Sequence, residues 1–330
     1  MHFPATAQQL VARAPTRIDF GGGWTDVPPY SLEEGGCVCN VAISLYSTVT
    51  LRPGSGTGTL TSGHASDAAL ARAALSRTGV SAVDATLTNA FPVSAGLGGS
   101  SAAGVAMLGA LDRWSHPAEP LNRAALAEAS RQLEVEDLGI AGGRQDHYAA
   151  ALGGALGLWF GEHTTWRRLP LSDAFARELA TRCIVAYTGQ SRISADTITG
   201  VMSAYRENQR GVRAALARIK ELAELMIVAV TEENLDALGA LVGEHWVHQR
   251  ALHPAIPTPQ IDALLSAAEA AGAVGGKALG ASGGGCVLAI APKHGEERVR
   301  AAMRSSATLL DFVVDTDGFY WTTANVMEDG

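Results

Sequence analysis

The sequence lacks the excess of positive charge that nucleic-acid-binding proteins carry. Its 330 residues include 25 Lys and Arg against 33 Asp and Glu, so the formal net charge is −8. Faces that bind DNA or RNA are normally basic, and we therefore expect no nucleic-acid partner. An acidic chain that binds an anionic ligand must use local positive groups or metal ions instead.

Cysteines and long apolar runs are also scarce. The four cysteines are Cys37, Cys39, Cys183 and Cys286. They are not spaced as zinc ligands, and a chain of this length does not need disulfides, so we expect buried thiols. No apolar run reaches membrane-spanning length, and the first residues lack the basic-then-apolar order of a signal peptide. We therefore expect a cytoplasmic protein with no membrane partner, acting as a monomer or homodimer.

The chain has no Ser- or Pro-rich linker and no internal repeat. In its first part, strand-like stretches rich in Val, Ile and Thr alternate with helical patterns. From about residue 194, long apolar stripes at helical spacing prevail. This order predicts an α+β protein of two packed domains, residues 1–190 and 191–330.

Polar residues mark several helix starts. Asn122, Thr231 and Thr258 each stand where a side chain can cap a helix. Two histidines in the helix predicted after Thr231, His245 and His248, are three residues apart, but no third metal ligand is apparent. They predict a polar helix face.

Glycine, by contrast, is abundant and clustered. A strand-like lead-in at 85–91 runs into the glycines of 96–99, which end in Ser100 and Ser101 and open an Ala-rich helical pattern. Glycines allow a sharp turn close to a ligand, and a helix N-terminus offers free N–H groups and a positive dipole end. We predict a phosphate loop for a nucleotide. A plain helix cap at one of the two serines is the alternative, and both roles can hold together.

Two common nucleotide loops do not fit these glycines. A Rossmann loop follows the first strand of a βαβ unit, and no such unit precedes residue 96. A Walker loop ends in Gly-Lys-Ser/Thr, which is absent here.

Two further segments accompany the loop. Residues 14–26 read APTRIDFGGGWTD, and residues 280–286 read GASGGGC. The three segments in this order resemble the galactokinase, homoserine kinase, mevalonate kinase and phosphomevalonate kinase superfamily, the GHMP kinases. The resemblance implies a two-domain fold with a ribosomal-S5-like N-terminal domain and a ferredoxin-like C-terminal domain. It also implies ATP and Mg²⁺ as cofactors.

The resemblance assigns roles around the phosphate. The ATP-binding residues would be Pro92, Ser94, Ala95, Gly96, Leu97, Gly98, Gly99, Ser100 and Ser101. The metal would be held by Ser100, or Ser101 in its place, and by Glu134, with Glu136 and Asp137 as neighbouring alternatives. Because Mg²⁺ needs few protein carboxylates, one Glu with a hydroxyl and ATP oxygens is sufficient.

Two residues would carry the transfer itself. Asp146 lies in the segment that bears the family's catalytic base, and it would accept the proton of the acceptor hydroxyl; capping the following helix is the alternative. Arg17 stands where galactokinases have an Arg beside the transferred phosphate. A plain salt bridge is the alternative for Arg17, and Arg144 is a second candidate for its charge.

A third set would bind the substrate. Asp26 would accept from sugar hydroxyls, and Trp24 would give an apolar face to a pyranose ring. Arg192 would hold a remote phosphate, or it is a surface residue. Lys277 and the third glycine segment would close over the site. The full set is Asp19, Gly23, Trp24, Thr25, Asp26, Arg144, Tyr187, Thr188, Gly189, Arg192, Gly283 and Gly284.

Two branches of the superfamily are the most similar. Residues 17–30 resemble L-fucokinases, whereas 142–150 and 275–277 resemble D-glycero-D-manno-heptose 7-phosphate kinases. Both phosphorylate the anomeric hydroxyl, so the resemblance implies a sugar 1-kinase, with heptose 7-phosphate as the first substrate and L-fucose or another free sugar as the alternative. A sugar- and ATP-binding sensor without turnover stays open, as does a decarboxylase of the mevalonate branch.

Overall fold

Eleven strands and eleven α-helices are found in the part of the chain that the computed structural model describes, residues 8–54, 60–62, 65–190 and 194–325. The strands are β1 (Gln8–Gly21), β2 (Gly36–Pro53), β3 (Leu60–Ser62), β4 (Val83–Asn89), β5 (Ala155–Phe160), β6 (Thr164–Leu169), β7 (Cys183–Tyr187), β8 (Gly275–Ala278), β9 (Cys286–Ile290), β10 (Thr308–Leu310) and β11 (Tyr320–Asn325).

The helices alternate with the strands early and dominate later, as the sequence predicted. They are α1 (Tyr30–Glu33), α2 (Ala65–Thr78), α3 (Gly99–Ser115), α4 (Arg123–Gln132), α5 (Gln145–Leu152), α6 (Asp173–Arg182), α7 (Ser194–Arg206), α8 (Arg210–Thr231), α9 (Leu235–Arg250), α10 (Pro259–Ala270) and α11 (Glu296–Arg304). A π-helical turn, Leu133–Asp137, extends α4.

Side chains cap the N-termini of several of these helices. Asn122 accepts from the amide of Ala125, and Thr258 accepts from that of Ile261, as predicted. The cap predicted at Thr231 is wrong, because its hydroxyl donates to the carbonyl of Ile227 within α8. Asn234 caps α9 instead.

The strands form two sheets. The seven-stranded sheet has the order β11-β1-β2-β4-β3, and β2 also pairs with β5, which pairs with β6. The four-stranded sheet has the order β10-β7-β9-β8. Because β11 pairs antiparallel with β1, residues 320–325 return to the first sheet. The division at residue 190 stays a prediction.

Apolar side chains join the two sheets. One cluster contains Ile18 and Phe20 of β1, Val185 of β7, Leu222 of α8 and Leu288 of β9. Burial of this kind stabilises by about 25 cal/mol per Å² of apolar surface removed from water. The C-terminal end of β1 is therefore held against the second sheet.

All four cysteines are buried and free, as expected. No helix in the described part of the chain is both long enough and apolar enough to span a membrane.

Candidate active site

The second and third glycine segments meet backbone against backbone. The amide of Cys286 donates to the carbonyl of Ala95 at 2.8 Å. A Cβ atom on Gly280 would lie 2.9 Å from the Cα of Gly96, and one on Gly96 would lie 2.6 Å from the carbonyl oxygen of Leu279. Both glycines also have positive φ, so a larger residue would separate the two segments.

The first segment joins this contact through Arg17. Its amide donates to the carbonyl of Leu97 at 3.0 Å, and its guanidinium Nη1 donates to that of Gly96 at 2.6 Å. The three segments therefore lie together, as the sequence predicted.

The glycines lead into the N-terminus of α3, a 17-residue helix that packs against β1 and β2. Gly98 has φ 74° and precedes the helix, and no side chain in the described residues caps it. The amide of Ala102 donates to the carbonyl of Gly98. The amides of Gly99, Ser100 and Ser101 are then the free donors of the first turn, at the positive end of the helix dipole, which suits phosphate.

Not all of the residues predicted to bind ATP can offer side chains. Ala95 and Leu97 are buried, so they can contribute only backbone. The predicted stretch from Pro92 through Ser94 to Gly98 is the connection between β4 and α3. The ATP assignment stays a prediction.

A bidentate ion pair stands beside the loop. Arg17 donates from Nε to Oδ1 of Asp146 at 2.6 Å and from Nη2 to Oδ2 at 2.8 Å. Burial of the Arg17 guanidinium disfavours its charge, but Asp146 and Asp19 outweigh this and raise its pKa. Paired forks of this kind fix a carboxylate in orientation as well as in place.

The capping role considered for Asp146 is wrong. Helix α5 begins at Gln145, and the Asp146 carboxylate is bonded to Arg17. A Cβ atom on Gly98 would lie 3.0 Å from Cγ of Asp146, so the carboxylate packs directly against the start of α3. The predicted base and the predicted phosphate loop are thus adjacent.

Asp26 is held next to this pair. Its Oδ2 accepts from the amides of Arg144 at 2.8 Å and Gln145 at 3.1 Å. Burial and the charge of Asp146 raise the pKa of Asp26 to about 6, against the effect of those two amides. A Cβ atom on Gly143 would lie 1.9 Å from the carboxylate, so glycine is needed there.

A buried lysine ties the first segment to the second sheet. Lys277 of β8 donates from Nζ to the carbonyl oxygen of Asp19 at 3.0 Å and to its Oδ2 at 3.1 Å. Burial lowers the pKa of Lys277. Asp19 Oδ1 is buried without a hydrogen-bond partner among the described residues, and Gly23 gives the carboxylate its space.

Glu134 faces the start of α3 from the π-helical turn. Its Oε2 accepts from the Ser101 hydroxyl at 3.2 Å and lies 3.0 Å from Nε2 of His147. Burial would raise the pKa of Glu134, but His147 and the hydroxyls of Ser100 and Ser101 lower it. The neighbouring alternatives point elsewhere, since Glu136 pairs with Arg131 and Asp137 with Arg77.

This donor set fits Mg²⁺. The described residues contain no group of three or more His, Cys, Asp or Glu placed to hold a metal ion by themselves. One carboxylate and a serine hydroxyl are hard oxygen ligands, and Mg²⁺ in nucleotide sites takes few protein carboxylates because phosphates supply the rest. Ser100 is exposed and Ser101 is buried, and the hydroxyls of both lie against Glu134.

An open cleft with about 400 Å³ of empty space adjoins the Arg17–Asp146 pair. It is lined by Arg17, Asp19, Gly23, Trp24, Asp26, Val27, Gly143, Gln145, Asp146, Ile198, Gly280 and Ala281. Trp24 lines the cleft with φ 84°, but only 5% of it is exposed because the ring packs in a cluster with Tyr30 and Tyr205. Its use as a sugar platform stays a prediction.

Several predicted substrate residues are not brought into this cleft. The Thr25 hydroxyl is fully buried and bonded to the backbone of Gly22 and Cys37. The guanidinium of Arg144 bonds to the carbonyl of Gly161 and the hydroxyl of Thr164, so only the backbone of Arg144 serves the site.

The remaining members of that set lie behind the third glycine segment. Thr188, which follows Tyr187 and precedes Gly189, donates from its amide and hydroxyl to the carbonyl of Gly285. Gly283 donates to the carbonyl of Ile256, and it is buried, as is Gly284. Arg192 lies outside the described residues.

The structure adds residues that the sequence did not single out. Gln145 and Ile198 line the cleft. The polar face predicted at His245 is wrong, because this side chain is fully buried and its Nε2 accepts from the amide of Gly22 at 3.1 Å. Burial and the nearby Lys277 lower the pKa of His245. Its contact is 223 residues away in sequence, so no local pattern could have revealed it.

Known proteins with similar sequences are kinases of small metabolites. The chain is 26% identical over 233 residues to the D-glycero-alpha-D-manno-heptose 7-phosphate kinase of Campylobacter jejuni, covering 69% of this chain and 67% of that protein. It is 30% identical over 249 residues to the mevalonate kinase of Pyrococcus abyssi, covering 73% and 68%. It is 28% identical over 336 residues to the L-fucokinase/L-fucose-1-P guanylyltransferase of Bacteroides fragilis, covering 86% of this chain but 35% of that longer protein.

A solved structure has the same fold. The D-glycero-D-manno-heptose 1-phosphate kinase of Bacteroides thetaiotaomicron superposes with a TM-score of 0.74 at 23% identity, covering 95% of this chain and 98% of that one. Residues 64–154 match the GHMP kinase N-terminal domain, and residues 226–308 match the GHMP kinase C-terminal domain. The chain therefore belongs to the GHMP kinase family.

Proposed function

We propose that this chain transfers the γ-phosphoryl group of ATP to the anomeric hydroxyl of a sugar, with D-glycero-D-manno-heptose 7-phosphate as the first candidate substrate. The observation that carries the proposal is the Arg17–Asp146 pair, packed against Gly98 at the start of α3 and open to the cleft. A base, a fixed cation and a phosphate loop are the parts that phosphoryl transfer needs.

Asp146 would act on the acceptor. Its carboxylate receives the proton of the C1 hydroxyl while the new bond forms between the C1 oxygen and the γ-phosphorus. The bond from that phosphorus to the bridging oxygen breaks, and ADP leaves. Arg17 holds Asp146 and the carbonyl of Gly96 at once, so the base and the loop keep a fixed relation.

The metal would be held by Glu134 and Ser100. When bound, Mg²⁺ supplies charge neutralisation for the phosphates. The free amides of Gly99, Ser100 and Ser101 donate to phosphate oxygens, and Asp26 accepts from a sugar hydroxyl.

An unphosphorylated sugar such as L-fucose is the second candidate. The cleft lining contains one cation among the described residues, Arg17, and it is committed to Asp146. A 7-phosphate would need a further cation, and Arg144 is directed away. Arg192, outside the described residues, is the remaining candidate for that contact.

The test is release of ADP from Mg-ATP with a panel of acceptors: heptose 7-phosphate, the unphosphorylated heptose, L-fucose, D-galactose and mevalonate. We expect ADP with an aldose and none above background with mevalonate. ATP binding without turnover of any aldose would favour a sensor, and turnover of mevalonate alone would overturn the sugar assignment.

Arg192→Ala separates the two sugar classes. If heptose 7-phosphate is the substrate, this change raises its KM more than the KM of the unphosphorylated heptose. Equal effects on both would remove Arg192 as a phosphate contact.

A further inference from the structure

His147 lies between the residues assigned to the metal and to the base. It follows Asp146 in α5, and it is buried, with 1% of its surface exposed. Its Nε2 lies 3.0 Å from Oε2 of Glu134, and its Nδ1 lies 3.0 Å from the hydroxyl of Ser130 in α4. Both ring nitrogens are therefore engaged.

We propose that His147 is a positioning residue, which holds the carboxylate of Glu134 in the orientation that binds Mg²⁺. This inference rests on the proposed function, because Glu134 has a metal to bind only if the chain uses Mg-ATP. It assigns a role to a residue that is not among those proposed to bind nucleotide or sugar.

The chemistry of the partners gives the direction of the bond to Glu134. An ionised carboxylate only accepts, so the ring donates to Glu134 from Nε2. The hydroxyl of Ser130 can either donate or accept, and it lies 3.0 Å from Nδ1. Ser130, His147 and Glu134 therefore form a single chain of hydrogen bonds.

The same carboxylate oxygen receives a second donor. The Ser101 hydroxyl donates to Oε2 of Glu134 at 3.2 Å. Two donors on one oxygen fix the orientation of the carboxylate. Groups that orient a ligand in this way change metal affinity by about 10- to 100-fold when they are lost.

The placement also links two functions. Two consecutive residues of α5 have different roles: Asp146 is the proposed base, and His147 orients Glu134 at the proposed metal site. A histidine that only filled space between α4 and α5 would not require polar partners at both ring nitrogens.

Two amide substitutions distinguish these roles. Glutamine places its amide nitrogen near the position of Nε2 and can donate to Glu134. Asparagine reaches only the position of Nδ1 and can bond to Ser130 but not to Glu134. The measurement is the Kd of Mn²⁺, followed by electron paramagnetic resonance, for the enzyme saturated with a non-hydrolysable ATP analogue.

We expect His147→Gln to keep the Kd of Mn²⁺ within about threefold of the wild type and His147→Asn to raise it by about tenfold or more. Glu134→Gln gives the reference for a lost ligand. Nucleotide affinity without metal should not change, and thermal unfolding of each variant shows that it is folded. Ser130→Ala removes the partner of Nδ1 and should raise the Kd of Mn²⁺ by a smaller factor than His147→Asn. If His147→Asn does not fold, Ser130→Ala takes its place in the test.

Equal Mn²⁺ affinities for His147→Gln and His147→Asn would overturn the positioning role, whether both affinities match the wild type or both are reduced by the same factor. An unchanged Kd in Glu134→Gln would overturn it as well, since Glu134 would not bind the metal. Failure of the sugar assignment is distinguishable, because the Mn²⁺ measurement needs no acceptor.

Discussion

Replacing Asp26 with Asn should stabilise the fold at neutral pH while it damages the site. Burial and Asp146 raise the pKa of Asp26 from its ordinary 3.8 to about 6. The folded state then binds the proton more tightly than the unfolded chain, so ionised Asp26 opposes folding. Because a tenfold change in proton affinity is worth about 1.4 kcal/mol, the opposition amounts to about 3 kcal/mol above pH 6.

The sign of this effect fixes its pH dependence. The destabilisation by ionised Asp26 is absent below about pH 4, grows between about pH 4 and 6, and is constant at higher pH. An Asn at position 26 never ionises, and its Oδ1 can still accept from the amides of Arg144 and Gln145. The stability of Asp26→Asn relative to the wild type should therefore rise with pH, reaching about half of its full value near pH 5.

The assay is urea unfolding followed by circular dichroism, for both proteins, from pH 4.5 to 8. Glu162→Gln, at an exposed carboxylate in the turn after β5, is the control, and its difference from the wild type should stay within about 0.5 kcal/mol. A difference for Asp26→Asn that does not change with pH, or that falls as pH rises, would refute the reasoning. Loss of a hydrogen bond to a charged group should also lower kcat/KM for the sugar by about 10- to 100-fold.

Three further changes test other parts of the site. Asp146→Asn should lower kcat by about 100-fold or more, while isothermal titration shows an unchanged Kd for an ATP analogue; a wild-type kcat would remove Asp146 as the base. Gly98→Ala should weaken binding of an ATP analogue more than the control Gly79→Ala. Both glycines have positive φ, but only a Cβ atom at position 98 meets a neighbour, Asp146 at 3.0 Å. Equal binding by the two variants would contradict the tight contact. Lys277→Met should lower the free energy of unfolding by about 3–5 kcal/mol, because Asp19 loses its buried partner, and adding Asp19→Asn should recover part of the loss in urea unfolding.

The sequence was most informative about backbone. Gly96, Gly98 and Gly280 are needed because chain segments approach closely or adopt positive φ, and that requirement belongs to each residue's own position. Helix starts at Asn122 and Thr258 are equally local, since the cap bonds an amide three residues on. Such features leave a signature in the sequence.

The directions of side chains were less predictable. Arg144 has its backbone in the site and its guanidinium at the β5–β6 turn, because Gly161 and Thr164 offer it acceptors there. His245 is buried at the substrate segment rather than on a polar face, because α9 packs against Gly22. These outcomes depend on which elements meet in space.

Glu134 lies between these two cases. The sequence proposed it but left Glu136 and Asp137 open. The π-helical turn separates the three side chains, because Glu134 bonds to Ser101, whereas Glu136 pairs with Arg131 and Asp137 with Arg77. No spacing rule for a regular helix predicts that turn.

We propose that the cleft beside Arg17 and Asp146 directs phosphoryl transfer to the anomeric oxygen of a sugar. The most direct measurement is phosphorus-31 NMR of the product formed from Mg-ATP and an accepted sugar labelled with carbon-13 at C1. We predict a new phosphate ester signal that is split by coupling to the labelled carbon. A sugar phosphate signal without that splitting would contradict the claim.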